Sequence, residues 1–187
     1  MNKVQNPPPL EVFLTLILGQ TILRPYYQNF INGLDLNGNE KILDFGSGSG
    51  VCSRHIANQL KKGGQLDCLD ISEVWQSVIR TNLKRFTNVN YHLGQITDVD
   101  LPDKSYDMVV AHFVFHEIPN TACSAVMNSI AKKLKPSGRL VIREPHGHNL
   151  EIADLKTWAQ VAGLKEISIQ SRNIMVIKLM ECIFYKI

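Results

Sequence analysis

The segment that decides the fold spans residues 42–50 and reads Ile-Leu-Asp-Phe-Gly-Ser-Gly-Ser-Gly. An apolar run of strand length leads directly into a turn with glycine at alternate positions, and a segment of helical spacing follows. Glycine permits positive φ values and lets a ligand approach the backbone closely. The N–H groups of such a loop and of the following helix N-terminus face the ligand. We therefore expect a strand, loop and helix that together bind a ligand.

The spacing of the glycines argues against a dinucleotide ligand. A pyrophosphate-binding loop follows the pattern G-x-G-x-x-G, whereas here Gly50 comes two residues after Gly48 and Val51 stands where the third glycine belongs. Asp44, just before the loop, would repel a diphosphate and attract an ammonium group. The loop is therefore predicted to hold an amino-acid-like group.

Asp70 lies twenty residues beyond Gly50, at the end of the next predicted strand. An acid at this spacing accepts hydrogen bonds from both ribose hydroxyls of an adenosine. The loop and the acid together favour a ligand that is part amino acid and part nucleoside. S-Adenosyl-L-methionine is the obvious ligand of this kind.

From residue 41 onward, short apolar strands alternate with segments of helical length, which predicts a mainly parallel α/β sheet. Strands are expected at residues 41–45, 65–70, 89–93, 106–111, 139–144, 164–169 and 175–185. Helices are expected at residues 53–60, 73–85, 121–134 and 154–162, with two more at 10–23 and 24–31, broken near Pro25. Because no helix separates the last two strands, they should form an antiparallel hairpin.

The composition is that of an ordinary globular protein of one domain. Its 187 residues carry 20 Lys and Arg against 17 Asp and Glu, and the net charge of +3 excludes a strongly basic nucleic-acid tail. Four cysteines without C-x-x-C spacing predict free thiols rather than a zinc ribbon or a disulfide framework. The longest apolar run, residues 12–18, is too short for a transmembrane helix and fits a signal peptide poorly. These features predict a cytoplasmic protein.

From about Lys41 onward the chain resembles the class I S-adenosylmethionine-dependent methyltransferases. The signature from Asp44 to Gly50 is similar to the first motif of this family, and Asp70 stands where the family keeps its ribose acid. Residues 92–96, 101–110 and 134–140 resemble later motifs of the small-molecule branch that includes ubiquinone and menaquinone biosynthesis methyltransferases. The resemblance implies a Rossmann-like, mainly parallel sheet of seven strands in the order 3-2-1-4-5-7-6, with strand 7 antiparallel and helices on both faces. It also implies one methyltransferase domain over residues 1–187, with a helical cap at 1–40 and a cofactor-binding core at 41–187.

The resemblance also implies a set of cofactor contacts. Gln95 stands where the family often has an acid that accepts a hydrogen bond from the adenine amino group, and its amide oxygen can accept the same bond. Trp75 stands where the family packs an apolar side chain on the adenosine, although a Trp on a helix is as often a core residue. The residues expected to contact S-adenosyl-L-methionine are Asp44, Gly46, Ser47, Gly48, Gly50, Asp70, Ile71, Trp75, Gln95, Ile96 and His112.

Methyl transfer from a sulfonium needs few fixed catalytic groups, because much of the rate can come from holding the nucleophile in line with an activated donor. His112 and His116 follow the fourth strand, at the carboxyl edge where open α/β sheets bind ligands. Both are candidate catalytic residues, His112 mainly as pocket lining and His116 as a general base. One of Glu144, His146 and His148, at the same edge, is expected to face substrate. The H-x-x-x-H spacing is not the H-E-x-x-H zinc pattern, so no metal is expected.

The acceptor is expected to be a small, fairly apolar molecule, quinone-like or lipid-like. The apolar N-terminal segment could form a lid over it, with Tyr26 and Tyr27 reaching the donor, or could simply cover the sheet or a homodimer interface. The apolar residues concerned are Leu10, Phe13, Leu14, Ile17 and Leu18.

Three other classes stay open to different degrees. A protein or RNA methyltransferase is one, although Ala-His-Phe-Val at residues 111–114 replaces the Asn/Asp-Pro-Pro-Tyr motif of enzymes that methylate a flipped base, so no DNA partner is expected. A protein that binds the cofactor without turnover is the second. An NAD oxidoreductase is disfavoured by the glycine spacing.

Overall fold

The computed structural model describes residues 7–147, 150–174 and 177–187. It contains two compact units, which meet in the sequence between Gln95 and Ile96 and are treated separately below. The first unit contains helices α1 (Pro9–Gln20), α2 (Arg24–Asn32), α3 (Val51–Gln59) and α4 (Glu73–Asn82), and strands β1 (Lys41–Phe45), β2 (Gln65–Asp70) and β3 (Val89–Leu93). The second unit contains strands β4 (Tyr106–His112), β5 (Leu134–Pro145), β6 (Leu164–Ile174) and β7 (Ile177–Lys186), helices α5 (Asn120–Lys133) and α6 (Ile152–Val161), and a short 3-10 helix, Phe115–Glu117.

The seven strands form one sheet in the order β3-β2-β1-β4-β5-β7-β6. Strand β2 pairs in parallel with β1 and with β3, and β4 pairs in parallel with β5. Strand β7 is antiparallel to both β5 and β6. The strand order and the reversed last strand confirm the fold that the sequence resemblance implied.

In the first unit, the two central strands are almost continuously buried. Four of their side chains are fully buried, as expected for parallel strands covered on both faces: Ile42, Leu43, Leu66 and Cys68. The turn into α4 is fixed by Ser72, whose Oγ accepts a hydrogen bond from the backbone N–H of Trp75 at 3.2 Å. Such a cap satisfies a donor that the helix itself leaves unpaired. The carboxyl ends of β1 and β2 are therefore held firmly against the helices that follow them.

One clear departure from the expected elements is at the start of β5. We expected the helix to end at Leu134 and the strand to begin at Arg139. Instead, α5 ends at Lys133 and β5 begins at Leu134, directly after it. Pro136 disfavours a helical conformation for the residue before it, and Leu134 pairs instead with Tyr106 of β4. The ladder then shifts register at Met108, so the strand is longer and less regular than its apolar pattern indicates.

The N-terminal helices also differ slightly from expectation. The break between them lies between Gln20 and Arg24, upstream of Pro25. Pro25 occupies the first turn of α2, where its missing N–H is not needed and its fixed φ suits the helix. Helix α1 has 12 residues, and no helix within the described residues is both long and apolar enough to cross a bilayer.

Candidate functional site

In the first unit, the glycine loop joins β1 to α3 and is tied to the end of β2. Gly46, Gly48 and Gly50 all have positive φ values, +72°, +49° and +76°. The backbone N–H groups of Gly46 and Ser47 both donate to the carbonyl oxygen of Leu69, at 2.8 and 3.0 Å. The loop therefore has a defined shape, and that shape needs residues that tolerate the left-handed region.

Two of these glycines serve different purposes. A Cβ atom added to Gly48 would meet no heavy atom within 4 Å, so the backbone there is open to an approaching ligand. A Cβ atom on Gly50 would lie 2.5 Å from Cγ1 of Ile79 in α4. Gly48 thus fits the reason that the sequence suggested, closeness to a ligand, whereas Gly50 is required by the packing of α4 on the loop.

Gly50→Ala should therefore destabilise the fold strongly. We expect the free energy of unfolding to fall by about 2–4 kcal/mol, because the new methyl group overlaps Ile79 and the backbone keeps a left-handed conformation. Urea unfolding measures the change. Gly63→Ala is the matched control, since Gly63 also has a positive φ, +86°, but open space around its Cβ position. Equal losses in the two variants would contradict the packing role of Gly50.

Asp70 ends β2 and its carboxylate is bonded to the glycine loop. Oδ2 accepts a hydrogen bond from the backbone N–H of Gly48 at 2.8 Å, and Oδ1 accepts one from Ser72 at 2.9 Å. Burial raises the pKa of Asp70, while these backbone donors act to lower it. Each carboxylate oxygen has a second lone pair, so both can still accept a ribose hydroxyl. The predicted ribose acid and the predicted loop are thus one hydrogen-bonded assembly.

The surroundings of Asp70 fit a nucleoside. Ile71 and Leu93, at the carboxyl ends of β2 and β3, are 46% and 48% exposed, which is unusual for large apolar side chains. Gln95 is exposed two residues after Leu93, and Trp75 is half-buried on α4. Ser47 Oγ is buried and has no hydrogen-bond partner among the described residues. An acid that can accept hydrogen bonds, apolar side chains that can pack on a base and an unpartnered hydroxyl thus lie on the same unit.

Asp44, in β1, is almost fully buried, with 1% of its surface exposed. Its Oδ2 accepts a hydrogen bond from Ser53 Oγ in α3. Burial raises the pKa of Asp44 to about 7, against the opposing effect of the Ser53 bond and with a further contribution from the charge of Asp70. A cationic ammonium group bound at the loop would favour the ionised form. Asp44 is therefore a carboxyl whose charge at neutral pH depends on what the loop holds.

Asp44→Asn should make the fold more stable at alkaline pH and weaken cofactor binding. Because the pKa of Asp44 is higher in the folded chain than in the unfolded chain, the folded state binds the proton more tightly, and stability falls as pH rises from about 4 to about 7. Asparagine removes that loss. We therefore compare the free energy of unfolding of the variant with that of the unmodified chain, measured in urea. The difference in favour of the variant should grow by at least about 1 kcal/mol between about pH 5.5 and about pH 8. An advantage that does not change with pH would contradict this prediction.

In the second unit, Glu144 organises the segment that follows β4. Its side chain, on β5, is completely buried. Oε1 accepts hydrogen bonds from the backbone N–H groups of Val114 and Phe115, both at 2.7 Å, and Oε2 lies 2.6 Å from His116 Nδ1. A buried carboxylate is tolerated only when such donors surround it. Glu144 thus fixes both the start of the 3-10 helix and the orientation of the His116 ring.

His116 is held in one defined protonation pattern. Because Nδ1 faces a carboxylate, it carries the proton, and Nε2 is the acceptor nitrogen of the neutral ring. The hydrogen bond to Glu144 raises the pKa of His116, partly offset by burial and helped by the charges of Glu144 and Glu117. About 20% of the side chain is exposed. A half-buried imidazole oriented by a carboxylate is a suitable general base.

His112 has a different character, although it lies close in sequence. It ends β4, is buried, and its ring centroid lies 4.1 Å from that of Phe113. Burial and the charge of Arg143 lower the pKa of His112 to about 3. Such a ring stays neutral at physiological pH and accepts protons weakly, which favours a hydrogen-bonding role in a pocket. Phe113 has a φ of +62°, a strained conformation of the kind that concentrates at functional sites.

The family follows from a comparison with known proteins. Residues 42–138, just over half of the chain, match a family described as a methyltransferase domain. The chain belongs to this methyltransferase family. The matched region of the methyltransferase domain runs from β1 through the glycine loop, Asp70 and His116 to the beginning of β5.

Two relatives of this methyltransferase domain indicate its branch. The chain is 32% identical over 111 residues to a demethylmenaquinone methyltransferase from Tropheryma whipplei (strain Twist). The matched residues are 59% of this chain and 44% of that protein. The chain is 30% identical over 118 residues to a ubiquinone biosynthesis O-methyltransferase from Hydrogenovibrio crunogenus, covering 62% and 47%. The chain thus spans less than half the length of either relative. Both relatives carry names from quinone biosynthesis.

A solved structure shows the same fold. A TehB-like SAM-dependent methyltransferase from Corynebacterium glutamicum superposes with a TM-score of 0.77 and 16% identity, covering 96% of this chain and 100% of that one. At such low identity the likeness concerns the fold alone. The family match supports S-adenosyl-L-methionine, the cofactor expected from the sequence.

The remaining predicted site residues are placed as follows. His146 is exposed in the turn after β5, and its backbone N–H donates to the carbonyl oxygen of Lys178 at 2.8 Å. His148 lies outside the described residues. Ile96 is buried at the start of the second unit. Within the described ranges, no three His, Cys, Asp or Glu side chains converge as ligands of a metal ion.

Sequence reasoning missed two functional features. Ser72, which caps α4 and donates its backbone N–H to Asp70, was not singled out, although a Ser two residues after the acid is a visible capping signal. Glu144 was expected only as one of three residues near the substrate, not as the partner of His116. A charged residue within the buried run of β5 was the available signal, because charges in such strands need partners.

Proposed function

We propose that the protein is an S-adenosyl-L-methionine-dependent methyltransferase that transfers the methyl group to a small, apolar acceptor by in-line displacement. The observation that carries the proposal is the bonding of Asp70 to Gly48 and Ser72, which joins a ribose acid to an open glycine loop. When bound, S-adenosyl-L-methionine supplies an electrophilic methyl group on a sulfonium.

The residues of the first unit would bind and orient that cofactor. Asp70 would accept the ribose hydroxyls, and Gln95 with the Ile96 N–H would contact the adenine edge. Ile71, Leu93 and Trp75 would cover the apolar faces of the adenosine. The loop from Gly46 to Gly50, with Asp44 beneath it, would hold the amino-acid portion.

The residues of the second unit would serve the acceptor. For a hydroxyl acceptor, the oxygen would attack the methyl carbon as the bond from carbon to sulfur breaks, and the hydroxyl proton would pass to Nε2 of His116. Glu144 would stabilise the resulting imidazolium, and His112 would line the pocket as a neutral group. This division of roles follows from the raised pKa of His116 and the low pKa of His112.

The nature of the acceptor is inferred from the relatives. Their names assign them to demethylmenaquinone methylation and to ubiquinone biosynthesis, so we propose a quinol-like aromatic acceptor. Protein, RNA and the absence of turnover are the alternatives. The cytoplasmic location, a homodimer and the single-domain organisation with residues 1–40 as a cap stay predictions.

Calorimetry and a methyl-transfer screen test the proposal. Titration should show binding of S-adenosyl-L-methionine and S-adenosylhomocysteine and no binding of NAD; the opposite result would end the methyltransferase interpretation. A screen with a radiolabelled methyl group should then label hydroquinones in preference to lipids, RNA or protein. Labelling of protein or RNA would replace the proposed acceptor, and binding without any labelling would identify a protein that holds the cofactor without turnover.

A further inference from the structure

Helix α1 presents a row of large apolar side chains to the solvent. Between 40% and 68% of each is exposed. A continuous apolar patch of this kind usually marks an interaction surface. The side chains in the row are Leu10, Phe13, Leu14, Ile17 and Leu18.

The opposite side of α1 holds it to the first unit. Gly19 is buried, and a Cβ atom there would lie 2.9 Å from a methyl carbon of Val51 at the start of α3. Leu16 is half-buried. The exposed row is therefore not the side that attaches the helix. Three of its residues also line a shallow groove of about 410 Å³, together with Leu23 and Tyr27: Leu10, Leu14 and Leu18.

Basic side chains lie directly beside α1. Leu16 shares a second surface groove with Arg54 of α3 and with Lys84 and Arg85, which follow α4. Among the described residues that line this groove there is no acid. Burial lowers the pKa of Arg54, and the positive charges of Arg85 and Arg24 lower it further.

The combination of apolar and basic side chains selects the occupant. A second copy of the chain, packed on α1 about a two-fold axis, would place like charges near each other, and an apolar substrate alone gives no use for the cations. An anionic bilayer satisfies both, because apolar side chains enter the boundary of the headgroups and Lys and Arg contact the phosphates. Helix α1 is about 18 Å long, which suits a helix that lies in the membrane interface and is too short to span the bilayer. Glu11 is the acid on α1 itself.

We propose that the exposed row of α1 and the adjacent groove of Arg54, Lys84 and Arg85 form a surface that docks the protein on anionic lipid bilayers. We call it the α1 docking surface. Docking there would bring the protein to the phase in which apolar molecules dissolve. Docking on the bilayer is independent of the proposed methyl transfer, since it requires neither cofactor nor acceptor.

Vesicle flotation tests the α1 docking surface. The full chain should bind vesicles of phosphatidylcholine with about 30% phosphatidylglycerol at least about tenfold more tightly than phosphatidylcholine alone, and the difference should shrink in high salt. Phe13→Glu with Ile17→Glu should weaken binding at least about tenfold. Lys84→Glu with Arg85→Glu should do the same, since each basic residue near an anionic surface strengthens binding several-fold.

Matched controls separate the surface from charge in general. Val161→Glu with Ile167→Glu adds the same charge at exposed apolar positions of the second unit, and Lys132→Glu with Lys165→Glu reverses two exposed cations there. Both should bind within about twofold of the unmodified chain after correction for the net charge. Thermal unfolding checks that each variant is folded.

Three results would overturn the proposal. One is a folded chain that binds neither kind of vesicle. Another is binding that the Phe13 and Ile17 variant leaves unchanged. The third is a dimer, seen by sedimentation, that this variant dissociates while the unmodified chain binds no vesicles, which would make the surface an interface between copies. None of these results bears on cofactor binding, so the proposed function stands or falls separately.

Discussion

Asp70→Ala is expected to weaken the binding of S-adenosyl-L-methionine at least about tenfold. Each charge-assisted hydrogen bond to a ribose hydroxyl contributes about 1.5–3 kcal/mol, and the substitution removes the acceptor for both. It also removes the partner of the Gly48 and Ser72 N–H groups, so the loop loses a fixed point. Isothermal titration calorimetry gives the change in Kd directly.

The control for this variant lies on the same strand. Asp67, also buried, accepts a hydrogen bond from Asn90 Nδ2 at 2.8 Å and lies 3.8 Å from Lys41 Nζ. Asp67→Asn should lower stability but leave the cofactor Kd within about threefold. An Asp70→Ala variant that is folded and binds with unchanged affinity would remove Asp70 from the ribose role.

Replacement of His116 by alanine should lower kcat by about 100-fold or more and leave the cofactor Kd unchanged, as expected for loss of a general base. Glu144→Gln should act through the same ring in a way that a purely structural role would not. The base works only when neutral, so the rate is lost as pH falls through the pKa of His116. Without the Glu144 charge that pKa falls, and the acidic limb of the pH profile should move to lower pH.

Glu117→Gln is the matched control, because its exposed carboxylate lies 3.9 Å from His116 Nε2. Its effect on the limb should be smaller, since solvent screens an exposed charge. The His116–Glu144 pair also contributes to the stability of the fold. Because the pKa of His116 is raised in the folded chain, this contribution is present at low pH and is lost as the pH rises through that pKa. A kcat that is unchanged in His116→Ala would refute the base.

The elements proposed to bind the cofactor could be located from the sequence because their signals are local. A strand, three glycines and a ribose acid occupy one continuous stretch and one fixed spacing, and backbone geometry constrains both. The reason for Gly50 was not predictable in this way. Its overlap with Ile79 depends on how α4 packs, and nothing within the loop records that contact.

The acceptor half was harder to predict because its key contact is distant in sequence. Glu144 and His116 are 28 residues apart and meet only because β4 and β5 are neighbours in the sheet. Two histidines after β4 were a sound prediction of location, but the sequence could not separate a buried ring with a pKa of about 3 from one bonded to a carboxylate. That separation comes from burial and from the charges nearby, which are tertiary properties.

The position of β7 has a consequence for synthesis of the chain. It follows β6 in sequence but lies between β5 and β6 in the sheet, so β6 leaves the ribosome before its neighbour exists. Until Lys186 has emerged, β5 and β6 are both open edges that can pair with other nascent chains. Completion of this part of the sheet must therefore wait for β7, and we expect the chain to depend most on chaperones in the interval between the synthesis of β6 and that of β7.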